Sequence, residues 1–336
     1  MKKVSSRRSL GKPQGAAKKK VVYRVTNWSE YEQGLIQRGR LDVWVSDEVL
    51  DAWLYAGPPQ RGAQFHYSDL AIETALTLRK LFKLPLRQTE GFVQSLLDLL
   101  GLDLEAPDHT TLSRRQQSLA IDLGVSPSEK PRHLVVDSTG AKVYGEGEWQ
   151  VRQYGWTQRR TWRKLHLVMD AETGEITAET LTEAGTDDAS QVRPLLRQTE
   201  GEVERFYGDG VYDRWRVHHA LAYLKSGSSP PIEAVIPPRR DAAIRTAKRR
   251  YRHIEARNER VRQIHRKGRK RWKRESGYHR RSIVESTMSR YKRILGPQLL
   301  ARSWSGQQTE ARIGCAILNR MMQLGKPQTV RVEVCA

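Results

Sequence analysis

HLVVDSTGAKVY, residues 133–144, reads as a strand in which Leu134, Val135 and Val136 run without alternation into Asp137. An unbroken apolar run of this kind suits a strand covered on both faces, and so a sheet with helices on either side. The neighbouring segments agree. RKLHLVMD (163–170) is a second strand, ETGE (172–175) a turn, and ITAETLTEA (176–184) alternates as a third. VERFYGD (203–209) is a fourth, and IEAVIPP (232–238) a fifth that two prolines end. Between them Asp187 or Asp188 caps a helix to about Gln198, and Asp213 caps another to about Lys225. A helix from about Tyr278 to Ile294 stops at Gly296-Pro297. Residues 306–324 form one more, carrying Ala311, Ile313, Ala316, Ile317 and Leu318. Three strands, a helix, a strand–helix–strand unit and closing helices make a mixed α/β, five-stranded sheet.

Upstream, from Asn27 to about Gln117, the period is helical. Trp28, Tyr31, Leu35 and Ile36 recur at three and four, as do Leu50, Trp53 and Leu54, then Leu70, Ile72, Ala75, Leu76, Leu78 and Leu81. Ser29, Ser46 and Ser68 suit N-caps. Leu86–Leu100 is amphipathic and is broken by Gly101 and Pro107; the short basic helix TTLSRRQQSL starts at Thr110. Helix, turn, basic helix is compatible with a helix-turn-helix DNA reader and equally with a small helical bundle.

The 336 residues suffice for two domains, and the net charge is +21. That charge is concentrated. Residues 1–24 carry nine Lys/Arg and no acid, and residues 239–274 carry seventeen against Asp241, Glu255 and Glu259. Two such blocks fit contact with a phosphate backbone, where each neutralised phosphate releases counterions. Taken singly, each also fits a solvated tail or helix face. Anionic lipid suits the second block poorly, because RYRHIEARNERVRQIHRKGRKRWKR (250–274) lacks a good apolar face. No apolar run approaches the roughly 18 residues of a membrane span. Cys315 and Cys335 are the only cysteines, which excludes a disulfide scaffold or cysteine-rich zinc site and fits a reducing, cytoplasmic compartment.

Three carboxylates stand out. Asp137 ends its strand, and Asp209 follows Arg205-Phe206-Tyr207-Gly208, so both lie at the carboxyl end of a sheet, where α/β sites gather. Each also fits a helix cap or turn. Glu285, inside a helix, fits half of a surface ion pair. Its helix sharpens the reading: Tyr278, Arg281, Glu285 and Lys292, spaced three, four and seven, share one face. A few carboxylates can hold two Mg²⁺ ions and leave positions open for phosphate oxygens. Arg281 and Lys292 would hold flanking phosphates, one as a fork and one as a point charge.

Tyr-x2-Arg-x3-Glu-x6-Lys is met with every spacing intact. With Asp137 in VVDSTG and Asp209 in YGDGVYD, the chain resembles the DDE transposases of bacterial insertion sequences. The insertion-sequence-five family, within the larger four/five superfamily, is the most similar group. PDHTTLSRR (107–115), GEGEWQVRQYGWTQRRTWRKLHLVMD (145–170) and GTDDASQV (185–192) add to the resemblance, which spans about residues 25–325. It implies a ribonuclease H-like sheet with flanking helices, preceded by an α-helical DNA-binding domain. It also implies that Asp137, Asp209 and Glu285 are catalytic and hold Mg²⁺ or Mn²⁺, two ions in all. The expected plan is a disordered basic tail (1–24), a helical DNA-binding domain (25–125), a catalytic domain (126–238 and 277–325), a DNA-contacting basic insertion (239–276) and a C-terminal tail (326–336). The insertion reads as helical, unlike relatives with a β-rich one.

The expected reaction cuts the element's terminal inverted repeats to free 3′-OH ends and joins these to target DNA. Arg281 and Lys292 would position phosphate, and Tyr278 would stack or bond near the terminal nucleotide. Arg114, Arg115, Arg269, Lys270 and Arg271 are the further expected DNA contacts. Trp272 and Trp304 are candidates to stack on a flipped base and fit core or interface positions equally. The partners are DNA and a second copy, as a homodimer or larger assembly at the nucleoid, with no membrane. A non-catalytic DNA-binding regulator explains the charge without the carboxylates, and a hydrolysis-only nuclease would use the same site. An RNA-binding sheet would need more aromatic strands than a chain with four Phe offers.

Overall fold

The structure is a computed structural model that describes residues 20–59, 61–62, 64–143, 162–224, 231–244 and 252–334. Most of the N-terminal tail, residue 144, residues 145–161 of the family-like segment, residues 245–251 of the insertion, and Cys335 lie outside the described residues. The chain divides into two units, Met1–Gly39 with Leu324–Ala336, and Arg40–Gln323.

In the first unit, β1 (Lys20–Val25) pairs antiparallel with β8 (Thr329–Val334), and α1 (Trp28–Gln37) follows β1. Residues 20–24 and 329–334, expected as tails, are thus strands: the alternating KVVYRV and TVRVEV satisfy each other's backbone groups. Asn27, not Ser29, precedes α1, and its side chain ties the two ends together, donating to Lys326 O (3.1 Å) and accepting from Gln328 N (2.7 Å).

The second unit is built on a six-stranded mixed sheet. Its strands are β2 (Arg132–Val143), β3 (Trp162–Asp170), β4 (Ile176–Glu183), β5 (Val203–Tyr207), β6 (Glu233–Val235) and β7 (Gln298–Leu299). The order is β4-β3-β2-β5-β6, with β7 pairing the far end of β2. β2, β3 and β4 are antiparallel; β5 and β7 run parallel to β2, and β6 parallel to β5. This is the mixed α/β sheet expected, with one strand beyond the five. Two residues after the Gly296-Pro297 stop are too few for a sequence period to mark.

Leu134, Val135 and Val136 are fully buried, as the unbroken apolar run requires. Alternation then sorts them between two cores. Leu134 and Val136, with Val168, Phe206 and Ala234, pack against α6 (Asp188–Gln198) and α7 (Trp215–Tyr223). Val135, with Leu165, Leu167 and Tyr207, packs on the other face. There the cover comprises α3 (Asp69–Phe82), α4 (Leu86–Leu99), α10 (Ser282–Leu295) and α11 (Trp304–Gln323). The helical segment therefore shares a core with the sheet, across the boundary expected at 125/126. Ser68 caps α3 by accepting from Ala71 N (3.1 Å), whereas Ser46, ahead of α2 (Asp47–Asp51), makes no capping bond.

A buried ion pair fastens α3 to α11. Lys80 Nζ lies 2.7 Å from Glu310 Oε1, and both side chains are 4% exposed. The other Glu310 oxygen accepts from the Leu300 and Ala301 amides, each at 2.8 Å. Removing one charge leaves the other buried and uncompensated. Lys80→Met should cost about 3–5 kcal/mol in urea unfolding. Adding Glu310→Gln, which still accepts from both amides, should restore part of that loss.

Candidate active site

Strand register brings the first two carboxylates together. Val135 pairs with Tyr207 across β2 and β5, and each carboxylate lies two residues beyond its member of that pair. Asp209 thus lies just past the carboxyl end of β5, beside Asp137, which does not end its strand as expected but sits midway along β2, because β3 and β7 keep β2 paired as far as Val143; the two strands run about 4.8 Å apart. Val135 and Tyr207 belong to the core that α10 covers, and a two-residue step keeps the side-chain face. Both aspartates are therefore directed towards α10. Asp209 closes its own turn, its carboxylate accepting from Val211 N at 2.8 Å.

The third carboxylate arrives on α10. Residues Tyr278–Arg281 form a 3₁₀ turn rather than the first helical turn the spacing predicts, and α10 starts at Ser282. Glu285 is consequently in the first turn of α10, not mid-helix. Arg281, at the junction, joins the site: its Nη2 donates to Asp137 Oδ2 (2.7 Å) and its Nη1 to Glu285 Oε1 (2.6 Å). Asp137 Oδ1 accepts from Ser138 N at 2.8 Å. The adjacent Arg280 reaches His133, also on β2, at 2.7 Å, so two consecutive arginines dock the 3₁₀ turn on one strand.

The electrostatics follow from this crowding. Burial lifts the Asp137 carboxyl above the ordinary carboxylate range, and the charges of Asp209 and Glu285 add to the lift against the pull of Ser138 N–H and Arg281. Burial works against the Arg281 charge, yet Asp137, Tyr278, Glu285 and Asp209 together hold its guanidinium above its usual value. Burial also raises Tyr278. Among the described residues, no three acidic, imidazole or thiol groups stand close enough to share an ion as they are placed. The cation between Asp137 and Glu285 is the Arg281 guanidinium. In kind, three carboxylates are the hard oxygen donors that suit Mg²⁺ or Mn²⁺.

Other expected residues are placed variously. Tyr278 is 9% exposed, with Trp272 at 6.4 Å and Lys273 Nζ 4.7 Å over its ring, so its ring is mostly core. Trp272 is buried too; Trp304 is partly exposed under the Arg163 guanidinium (4.8 Å). Lys292 is half-buried and makes no ion pair among the described residues. Arg114 on α5 (His109–Arg115) is exposed and bonds back to Thr110. Arg115 is not a surface cation. It is buried, pairing with Asp69, donating to Tyr67 O (2.9 Å) and lying 3.8 Å over the Phe65 ring, because it fastens α5 beneath α3. Lys270 and Arg271 are exposed on α9 (Arg269–Glu275); Arg271 pairs with Glu275, and Arg269 reaches Arg239 O.

One network was not legible. Asp213, expected as a helix cap, is instead buried: Arg257 of α8 (Arg252–Lys267) forks both its oxygens at 2.8 and 2.9 Å. His218 contacts Asp213 through Nε2 at 2.9 Å and Arg260 through Nδ1 at 3.3 Å. Burial lowers the His218 pKa, which suits a neutral ring that donates from Nε2 and accepts at Nδ1. Burial alone would raise Asp213, but His218 and Arg257 outweigh it and hold the carboxyl far below its ordinary range. The insertion is thus anchored four residues after Asp209. Its buried face is His253, Arg257, Val261 and Ile264, a helical spacing whose polar members concealed it.

Sequence models of two families, both described as transposase DDE domains, match this chain over residues 36–146 and 128–320. The second match covers more than half of the chain and contains all three carboxylates. The chain belongs to the DDE transposase family. This transposase is also similar to the piggyBac transposase in a cryo-EM structure of its synaptic complex with hairpin DNA, at 11% identity, over 90% of this chain and 77% of that one, with a TM-score of 0.35. Among its described residues no helix is long and apolar enough to cross a membrane.

Asp213→Ala should destabilise the transposase by about 3–5 kcal/mol at neutral pH, because Arg257 is left buried alone. The sign with pH follows from the lowered folded pKa: the ionised carboxylate's stabilisation is present above about pH 4 and is lost as pH falls towards that folded value. The gap between wild type and variant in thermal unfolding should therefore shrink in acid.

Proposed function

We propose that this transposase, of the insertion-sequence-five type, binds the terminal inverted repeats of its own element, cleaves the ends to free 3′-OH groups and joins these to target DNA. The observation that carries the reading is the convergence of Asp137, Asp209 and Glu285, from the middle of β2, the turn after β5 and the first turn of α10, around the Arg281 guanidinium. Nothing in a solely DNA-binding protein requires three carboxylates from three elements to meet on a basic chain.

Asp137, Asp209 and Glu285 would hold Mg²⁺ or Mn²⁺, two ions in all. Divalent ions so held lower the pKa of bound water and neutralise charge on the reacting phosphate. The chain's own residues do the rest. The half-buried Lys292 supplies a point charge to a flanking phosphate. Arg114, Arg269, Lys270 and Arg271 contact the DNA backbone and set its register. Asp213, through Arg257, holds the insertion helices that carry three of these cations. Handling two element ends calls for a dimer or larger assembly on DNA.

The test is a labelled duplex carrying the ends that flank this gene, incubated with Mg²⁺. Wild type should give 3′-OH ends and joined products, and Asp137→Asn, Asp209→Asn and Glu285→Gln should each lower both by at least about 10³-fold while keeping end binding. Binding without cleavage by any of the four proteins would point to a regulator. Cleavage without joining would point to a nuclease.

A further inference from the structure

We infer that Arg281 couples DNA binding to metal loading: its guanidinium is exchanged from Asp137 and Glu285 to a substrate phosphate, and the divalent ions take its place among the carboxylates. The inference rests on the active-site reading above and adds a regulation to it.

The geometry supports the exchange from three sides. First, both terminal nitrogens of Arg281 are committed to carboxylates, one to Asp137 Oδ2 and one to Glu285 Oε1. An ion at this site would draw on the same two carboxylates, and a divalent cation beside the guanidinium is repelled by it. Second, the same nitrogens are the fork by which an arginine binds phosphate, so Arg281 cannot hold Asp137, Glu285 and a phosphodiester together. Third, the present arrangement is incomplete. Arg281 Nε is buried with no hydrogen-bond partner. The Glu285 arm is an exposed i,i+4 pair, with the Glu285 side chain 57% exposed, and pairs of that kind hold weakly. The stronger arm, to Asp137, joins side chains 20% and 18% exposed.

Removing Arg281 without a replacement cation leaves carboxylates repelling one another; adding ions without moving Arg281 crowds cations. Each event alone is unfavourable, and together they compensate. The two ligands must then favour each other by the same factor in either direction. Arg281 so acts as a positioning residue, holding the carboxylates together on the free protein and surrendering them when the DNA end arrives.

The experiment titrates Mn²⁺ into the full chain by calorimetry, with and without a pre-cleaved end duplex, for wild type, Arg281→Gln, Arg281→Lys and Asp137→Asn. The duplex should tighten Mn²⁺ binding to wild type by about tenfold, within the usual range for coupled sites. Arg281→Gln should bind Mn²⁺ more tightly than wild type without DNA, and its coupling should fall towards one. Arg281→Lys, which keeps a charge but not the fork, should fall between them and serves if the Gln variant melts. A role confined to stability or DNA affinity would leave the coupling ratio unchanged. Equal Mn²⁺ affinity with and without duplex in wild type, or undiminished coupling in Arg281→Gln, overturns the exchange. Undiminished Mn²⁺ binding in Asp137→Asn instead overturns the carboxylate site itself, which separates the two failures.

Discussion

Carboxylates gathered in a partly buried site repel, and a fold that gathers three must supply a cation or protonate one of them. Here Arg281 is that cation. It bridges Asp137 and Glu285, and Asp209 adds to the field that holds it charged. The rest of the unit serves this meeting. The parallel pairing of β2 with β5 sets two aspartates side by side, alternation along β2 directs them to the face that α10 covers, and the 3₁₀ turn before α10 lands Arg280 and Arg281 on the same strand.

Much of this was legible because it depends on short-range pattern. An apolar run specifies a covered strand, though β2 runs on past Asp137 to Val143 rather than ending there, and the four-residue step from Arg281 to Glu285 does bring those two side chains together. What escaped depends on contacts distant in sequence. β7 is two residues long and exists only because β2 offers it a free edge. β1 and β8 lie over three hundred residues apart and stabilise one another as strands only as a pair. The tight turn at Tyr278–Arg281 replaces a helical turn because both arginines are drawn to β2.

Charge counting misled in a consistent way. It treated cations as surface, yet Arg115 and Arg257 each lie against a carboxylate and hold one element on another. Arg115 fastens α5 to α3, and Arg257 fastens the insertion to the turn after Asp209. Arg257 is marked by an acid at its own depth, and Asp213, one letter in YGDGVYD, was that mark, whereas the Asp69 partner of Arg115 is exposed. The insertion is consequently not a loose basic appendage: one buried fork ties it to the second carboxylate's loop.

The central claim is that Asp137, Asp209 and Glu285 form one divalent-ion centre that Arg281 occupies until DNA arrives. The most direct measurement is anomalous diffraction from crystals of the full chain grown with Mn²⁺ and a pre-cleaved end duplex. The account predicts manganese peaks in contact with all three carboxylates and the Arg281 guanidinium on a DNA phosphate. A seated DNA end with Arg281 still bridging Asp137 and Glu285, and no manganese between them, would contradict it.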